Sequence, residues 1–409
     1  MRTVSTLVWA VIKWAVVVVV VLHGMLHLLG GAKGFGWAEV SALTVPVGPA
    51  LGAGWLVAGT LVVVAAALLA GGSRWFWIGG GVAVVASQTM ILTSWRDAQA
   101  GTFVNVAQLA AVVYGYASRG PTSHAAEYRR SAAAELATVS DAALVTDGDL
   151  TSLPPALAGY LRRCGVVGKP RTTSFRARFH GRIRATAGAA WMPFTGEQVN
   201  TYGAQPSRLF SMDATWLALP VDVLHSYRGC RATMQVKVCS LVSMVNARGP
   251  DLDRAETVTV FNDLCLLAPS ALLGAPIAWR TIDANHVEGT FTNGPHTVGA
   301  ELVFGRDHEL VDFVSDDRSR ASTDGTTFTS QRWSTPVRGH RTVKGRQIVT
   351  DGEGRWYAPE GEFSYLEFHI DEIAYNLDTT PTDTQHRSAQ EATPPASASR
   401  PPARSGTRP

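Results

Sequence analysis

Four stretches of nearly unbroken apolar residues open the chain, and beyond about residue 170 the pattern changes to alternation of apolar and polar positions. Leu7 to Leu29, Pro49 to Ala70, Trp75 to Ser94 and the shorter Phe103 to Ala117 read as membrane-crossing helices. Lys13 lies near one end of the first, where it reaches the interface beside Trp9 and Trp14, and Trp75, Trp77 and Trp95 bracket the third. The first run exceeds the apolar core of a signal peptide, and no small-residue cleavage site follows it.

The period becomes two at Arg171 to Ala185. One face carries Phe175, Ala177, Phe179 and Ile183, the other Arg176, Arg178, His180, Arg182 and Arg184. That basic face suits an anionic headgroup, or a solvated outer face paired with acidic neighbours. Further strands are expected at Leu209 to Ala214, Val223 to Tyr227, Thr233 to Val245, Ala278 to Ile282, His286 to Phe291, Val298 to Phe304, Leu310 to Val314 and Glu362 to Tyr375. Asn293-Gly294, Gly305-Arg306-Asp307 and Asp351-Gly352 supply turns between them. Short strands joined by turns form an antiparallel meander.

Glu256 to Leu273 breaks this rhythm with a helix expected from about Thr259, kinked or split by Pro269, whose apolar residues pack against the sheet. The fold class is α+β: a four-helix transmembrane bundle, then a curved, half-barrel-like antiparallel sheet packed on an apolar helix. Ser123 to Val139 reads as a helical connector along the membrane surface. Pro154 and Pro155 open another helix that ends at Cys164, with Gly165 at its C-cap. The expected divisions are 1–118, the spans; 119–150, the connector; 151–376, the β-rich soluble domain; and 377–409, a disordered tail rich in Pro, Ser and Thr.

Composition sharpens this picture. Only 17% of the 409 residues are charged, and few of those fall before residue 119. A net charge of +3 is too mild to imply a nucleic-acid partner. With four spans the N-terminus and soluble domain share one side. Arg2, Arg74, Arg119, Arg129 and Arg130 lie there against Lys33 and Arg96 on the other, which puts the soluble domain of this multi-pass cell-membrane protein in the cytoplasm. The four cysteines lack the spacing of a zinc site and read as free buried thiols, with a Cys230 to Cys239 bridge as the oxidising alternative. No metal and no cofactor are expected.

Within the spans, His23, His27, Gln88, Asn105 and Gln108 fall at one depth, because successive helices run in opposite directions. They form either a polar pocket or interhelical hydrogen-bonding glue. In the soluble domain there is no GxSxG elbow, HExxH helix or phosphate-binding glycine loop, and no catalytic residue is assigned. The candidate ligand-binding residues are Trp191, Glu256, Asn262, Asp263, Asp316, Arg318 and Trp333, drawn from the most distinctive segments and from an aromatic supply that includes Phe194, Trp216, Trp279 and Trp356. The functional expectation is a membrane protein whose β-rich domain binds a hydrophobic small molecule or membrane lipid. The alternative is a membrane-associated enzyme using carboxylates around Glu256, Asp263 and Asp316.

The segments ETVTVFNDLCLLAPSALL, IAWRTID, LVDFVSDDRSR, QRWSTPV and WMPFTGEQ resemble a bacterial family of membrane-associated proteins of unknown function, and HGMLHLLGGAKGFG and SWRDAQAGTFVNVAQL resemble the membrane segment joined to it in some members. The resemblance implies no established activity and brings no catalytic residues. In architecture alone, a curved sheet holding an apolar helix is similar to lipoprotein-carrier half-barrels, which bind acyl chains.

Overall fold

Helices that are apolar on every side form where Val, Leu, Ala and Gly run without charges. The computed structural model, which describes residues 4–139, 142–203 and 205–377, begins with them. They are α1 (Val4–Gly34), α2 (Pro49–Ala70), α3 (Phe76–Thr93), the single turn α4 (Trp95–Ala98) and α5 (Gly101–Arg119). Pro49 starts α2, where its missing N–H costs nothing. Among the described residues three helices are long and apolar enough to cross a membrane: Val8–Gly34, Pro49–Ala70 and Phe76–Thr93. The expected fourth span is a helix, α5, but it is not among the three; Thr102, Asn105, Gln108, Tyr114 and Tyr116 make it more polar than its neighbours. α2 packs on α1 and α3, and α5 on α3 and α1. Small residues set the spacing: a Cβ on Gly34 would meet Gly52 Cα at 2.6 Å.

Helix α6 (His124–Leu136) is capped by the Ser123 hydroxyl, which accepts from the Ala126 N–H at 3.2 Å. One face of it packs on the sheet. Tyr128, Ala132 and Leu136, spaced one turn apart, bury against Val199, Leu209 and Leu224. Helix α7 (Pro155–Arg163) starts at Pro155 and ends where Gly165 takes φ +64°.

Sixteen strands follow among the described residues: β1 (Ser174–Ile183), β2 (Met192–Thr201), β3 (Ser207–Trp216), β4 (Leu219–Arg228), β5 (Arg231–Val238), β6 (Val242–Arg248), β7 (Ile277–Thr281), β8 (His286–Asn293), β9 (His296–Phe304), β10 (Leu310–Ser315), β11 (Ser319–Ala321), β12 (Phe328–Ser330), β13 (Trp333–Ser334), β14 (Val337–Val343), β15 (Arg346–Ala358) and β16 (Gly361–Tyr375). Fourteen form one sheet in the order β6-β5-β4-β3-β2-β1-β16-β15-β13-β10-β9-β8-β7, with β14 beside β15, and β11 and β12 make a separate hairpin. The pairings of the large sheet are antiparallel. The sheet is open. Its outer strands β6 and β7 do not pair with each other.

Helix α8 (Pro250–Leu266) is buried along nearly its whole length and touches both arms of the sheet, β5 and β6 on one side and β9 and β10 on the other. It starts earlier than the expected Thr259. Pro250 at its first turn, with Asp251 and Asp253 complementing the helix dipole, overrides the strand-like alternation of Thr257 to Val260. Pro269 opens a separate 3₁₀ turn, Pro269–Gly274.

Other expectations are corrected too. Thr233 to Val245 is two strands, because Cys239 and Ser240 turn the chain at φ +52° and +57° without a glycine to signal it. Asp351-Gly352 lies inside β15, paired with His369 and Phe368, and the turn falls at Lys344-Gly345. A Cys230 to Cys239 bridge is excluded: the two residues flank the full length of β5, roughly 30 Å apart at strand rise, where a disulfide needs Cα atoms within about 7 Å. All four cysteines are free. The tail expected at 377–409 lies, from residue 378, outside the described residues.

Candidate ligand cavity

Between β1–β6 and α8 lies a cavity of about 630 Å³. Its walls follow from period two: inward positions of β3 are Arg208, Phe210, Met212, Ala214 and Trp216, and of β4 Val221, Val223 and His225. Met234, Val236 and Val238 of β5 and Phe194 of β2 continue the same face. α8 closes the other side with Leu252, Ala255, Glu256, Thr259, Asn262, Asp263 and Leu266, spaced three or four residues apart.

The cavity is graded along the strands. From Trp216, Val221 and Val238 at one end to Phe210 and Met234 the walls supplied by β3, β4 and β5 are apolar, with Arg184 just past β1 as a charged exception, and beyond them the cavity ends in buried charge. There the Arg208 Nε–H donates to Asp263 Oδ2 at 2.9 Å, and Gln198 and Asn200 donate to the same oxygen at 2.6 and 3.0 Å. Arg208 Nη1 also stands 3.5 Å from Glu256 Oε2, while Arg318 Nη2 donates to Glu256 Oε1 at 3.4 Å. Arg318 further donates to the Thr259 hydroxyl and, at 3.1 Å, to the Ala255 carbonyl. Its guanidinium stacks 4.5 Å from the Trp333 ring.

Burial decides how these groups titrate. It pushes the His225 imidazole down to about 4, opposed by the Glu256 carboxylate and assisted by Arg208 and Arg318, so the ring is neutral at pH 7. Burial works to raise Glu256, but His225 where it is protonated, together with Arg318 and Arg208, outweighs it and holds this carboxyl below its ordinary value. Burial also raises Asp263, against the pull of Arg208 and of Asn200 and Gln198. Several buried polar atoms on the cavity lining make no hydrogen bond in the protein: His225 Nε2 and Glu256 Oε2, which stand 3.5 Å apart, and Asn262 Oδ1, Arg318 Nε, Trp333 Nε1 and Thr335 Oγ1. Such atoms are costly unless something that occupies the cavity meets them.

Five of the seven residues singled out from sequence line this cavity: Glu256, Asn262, Asp263, Arg318 and Trp333. Trp191 does not; it lies over the guanidinium groups of Arg182 and Arg184 at 4.6 and 4.4 Å. Asp316 is at the surface, 75% exposed and 3.7 Å from Arg332, because on β10's outward continuation it follows the buried Ser315. The carboxylates of the enzyme alternative are thus dispersed, and the two that remain near each other are each held by an arginine. Sequence reading missed Arg208, Gln198 and His225. The signal was present for two of them, since Arg208 and His225 interrupt otherwise apolar faces of β3 and β4.

Four of the five basic residues of β1's face meet acidic partners on the sheet, whereas Arg184 donates to the Ser364 and Ala187 carbonyls and lines the cavity. Arg176 and Arg178 meet Glu197, His180 meets Asp371 at 2.8 Å, and Arg182 pairs with Glu367 through two bonds of 2.7 and 2.8 Å. Among the helices, His23 Nε2 stands 3.1 Å from Ser87 Oγ and 3.2 Å from Asn105 Oδ1, and His27 Nε2 is 3.0 Å from Ser87 Oγ. His27 Nδ1 faces the His23 carbonyl at 2.9 Å, which can only accept, so that nitrogen carries the hydrogen. Asn105 donates to Gln88 at 2.9 Å, whereas Gln108 donates separately to the Gly80 carbonyl at 3.3 Å. Ser87, the hub of this network, is invisible in sequence as one small hydroxyl in an apolar run.

Residues 143–368 match the model of a family described as "Family of unknown function (DUF6544)". No curated protein matches the chain. Among solved structures, a domain described as an outer membrane lipoprotein-sorting protein from Vibrio parahaemolyticus is similar at TM-score 0.29 and 6% identity, over 49% of this chain and 85% of that one. A DUF1329 family protein from Desulfovibrio piger is similar at TM-score 0.31 and 13% identity, over 54% of this chain and 91% of that one.

Proposed function

The chain belongs to the DUF6544 family of unknown function, and from the geometry of its cavity we propose that it is a membrane-anchored protein that holds a lipid-like ligand between sheet and α8. The observation that carries this reading is the graded cavity, apolar for most of its length and ending in unpartnered polar atoms. The ligand is an amphiphile with an uncharged polar head. At the buried polar end Arg208 and Arg318 already balance Glu256 and Asp263, so a charged head placed there would have no counter-ion. A hydroxyl or amide head, which both donates and accepts, meets Asn262 Oδ1 and Glu256 Oε2 as well as Trp333 Nε1. The open sheet curls around α8 in half-barrel fashion as the holder of the apolar tail.

In this reading α1, α2, α3 and α5 cross the membrane, 1–118 forms the anchor, α6 ties it to the β-rich domain at 151–376, and that domain lies in the cytoplasm. The polar network of His23, His27, Gln88, Asn105 and Gln108 holds the spans together. A reporter fused after Leu377 is expected to be active in the cytoplasm; activity only outside would overturn the orientation.

The cavity is tested with the full chain in detergent and a fluorescent monoacylglycerol. Stoichiometric binding is expected, at least tenfold tighter than that of the fatty acid with the same tail. Val236→Trp, which fills the wall, should weaken binding at least tenfold without lowering the melting temperature. No binding, or binding indifferent to V236W, would refute the reading.

A further inference from the structure

The apolar end of the cavity coincides with two hairpin tips whose composition does not suit water. The β3–β4 tip exposes Trp216, Leu217 and Leu219, and the neighbouring β5–β6 tip exposes Leu241, Val242 and Met244, with Leu217 78% and Leu241 52% accessible. No charged residue falls between Thr215 and Pro220 or between Val238 and Met244. Large apolar groups clustered in this way mark an interaction surface.

Backbone conformation points the same way. Leu217 and Ala218 have φ +48° and +67°, and Cys239 and Ser240 have φ +52° and +57°. Turns of this hand favour Asn and Gly, and L residues with side chains are strained there. At the opposite end of the same strands the β4–β5 turn places a glycine at one of its two left-handed positions, Gly229 at φ +56°, with Cys230 at φ +61°. The β3–β4 tip therefore keeps Leu217 and Ala218 where turn chemistry favours Asn and Gly.

What lies beside the tips identifies the occupant. The Trp9 indole N–H, near the start of the apolar helix α1, donates to the Ala218 carbonyl, and the Trp9 ring stacks on Tyr114 of α5 at 6.2 Å. Tryptophan at a span's end sits at headgroup level. The tips are thus continuous with the surface that the proposed spans present to lipid.

We propose that the β3–β4 and β5–β6 tips rest in the headgroup layer of the bilayer that α1 crosses, so that the cavity opens directly onto the membrane. Trp216, Val238 and Met244 line the cavity and belong to these tips, which makes them its threshold. A lipid-like molecule then passes between bilayer and cavity without crossing water. The proposal rests on the spans being membrane-inserted, and extends the ligand reading without depending on the ligand's identity.

The test uses the full chain in liposomes with Cys239→Ser, the other three cysteines being buried. An environment-sensitive fluorophore is attached through Leu217→Cys, in a second protein through Leu241→Cys, and in a control through Arg231→Cys at the opposite end of β5. The first two labels are expected to be blue-shifted and quenched at least threefold by headgroup-region nitroxide lipids, and little affected by aqueous iodide. The control should behave oppositely. Iodide quenching of the Leu217 and Leu241 labels equal to the control would overturn the proposal. So would protection from both quenchers, which would assign the tips to a protein contact. Absence of monoacylglycerol binding would sink the ligand reading and leave the quenching result to decide this one.

Discussion

Asp263 is the residue on which the polar end of the cavity turns, because one of its oxygens receives hydrogen bonds from Arg208, Gln198 and Asn200. Asp263→Ala would strand a buried guanidinium and two amide groups, and is expected to destabilise the protein by about 3–5 kcal/mol in thermal or chemical denaturation of the full chain in detergent. Asp316→Ala, at an exposed pair, should stay within about 0.5 kcal/mol of the parent. His225 supplies a pH signature. Its folded pKa of about 4 lies below the unfolded value of 6.5, so the unfolded state takes up protons first as pH falls. Its stabilising contribution is complete above about pH 6.5 and is lost between there and pH 4, roughly 3 kcal/mol in all. His225→Gln should remove that part of the acid limb; an unchanged profile would mean that the imidazole is not buried as a neutral ring.

At the scale of elements, α8 is the piece both arms of the sheet share. Phe261 on it packs against Phe291, Phe313 and Trp279 with ring centroids 5.5, 5.3 and 6.0 Å away. Phe261→Ala is expected to cost about 3–5 kcal/mol, because neighbours on three sides hold the void open. The β3–β4 tip should respond in the other direction. Replacing Leu217 and Ala218 together by Asn and Gly relieves two left-handed residues and is expected to raise stability in detergent by about 1 kcal/mol. The same change should weaken quenching of a label at position 241 by lipid nitroxides. Stability that fell would show that the apolar tip serves the fold itself.

For the molecule as a whole, α6 joins two regions of opposite character, packing on β2–β4 after leaving the helices at Gly120. The free thiols make one consequence simple. Reductant should leave the melting temperature unchanged whichever compartment the sheet faces, since Cys230 and Cys239 stand at opposite ends of β5. A reductant-sensitive transition would contradict the strand assignment.

Apolar runs, strand alternation, the helix at α8 and its buried polar residues Glu256, Asn262 and Asp263 were legible in the chain, because periodicity and composition act locally. So was a helix beginning near Ser123. The break between β5 and β6 was not, since Cys239-Ser240 turns without a glycine and only pairing to β4 enforces it. Nor was the cavity. Arg208, His225 and Asp263 lie on separate strands and a helix, and what makes them one site is the register that stacks β3 on β4 and lays α8 across both. Ser87 joined His23, His27 and Asn105 for the same reason, as helix packing chooses which small hydroxyl faces inward. Local pattern decides which elements form and which faces are apolar; the meeting of distant side chains is set by long-range pairing, whose energy no single segment contains.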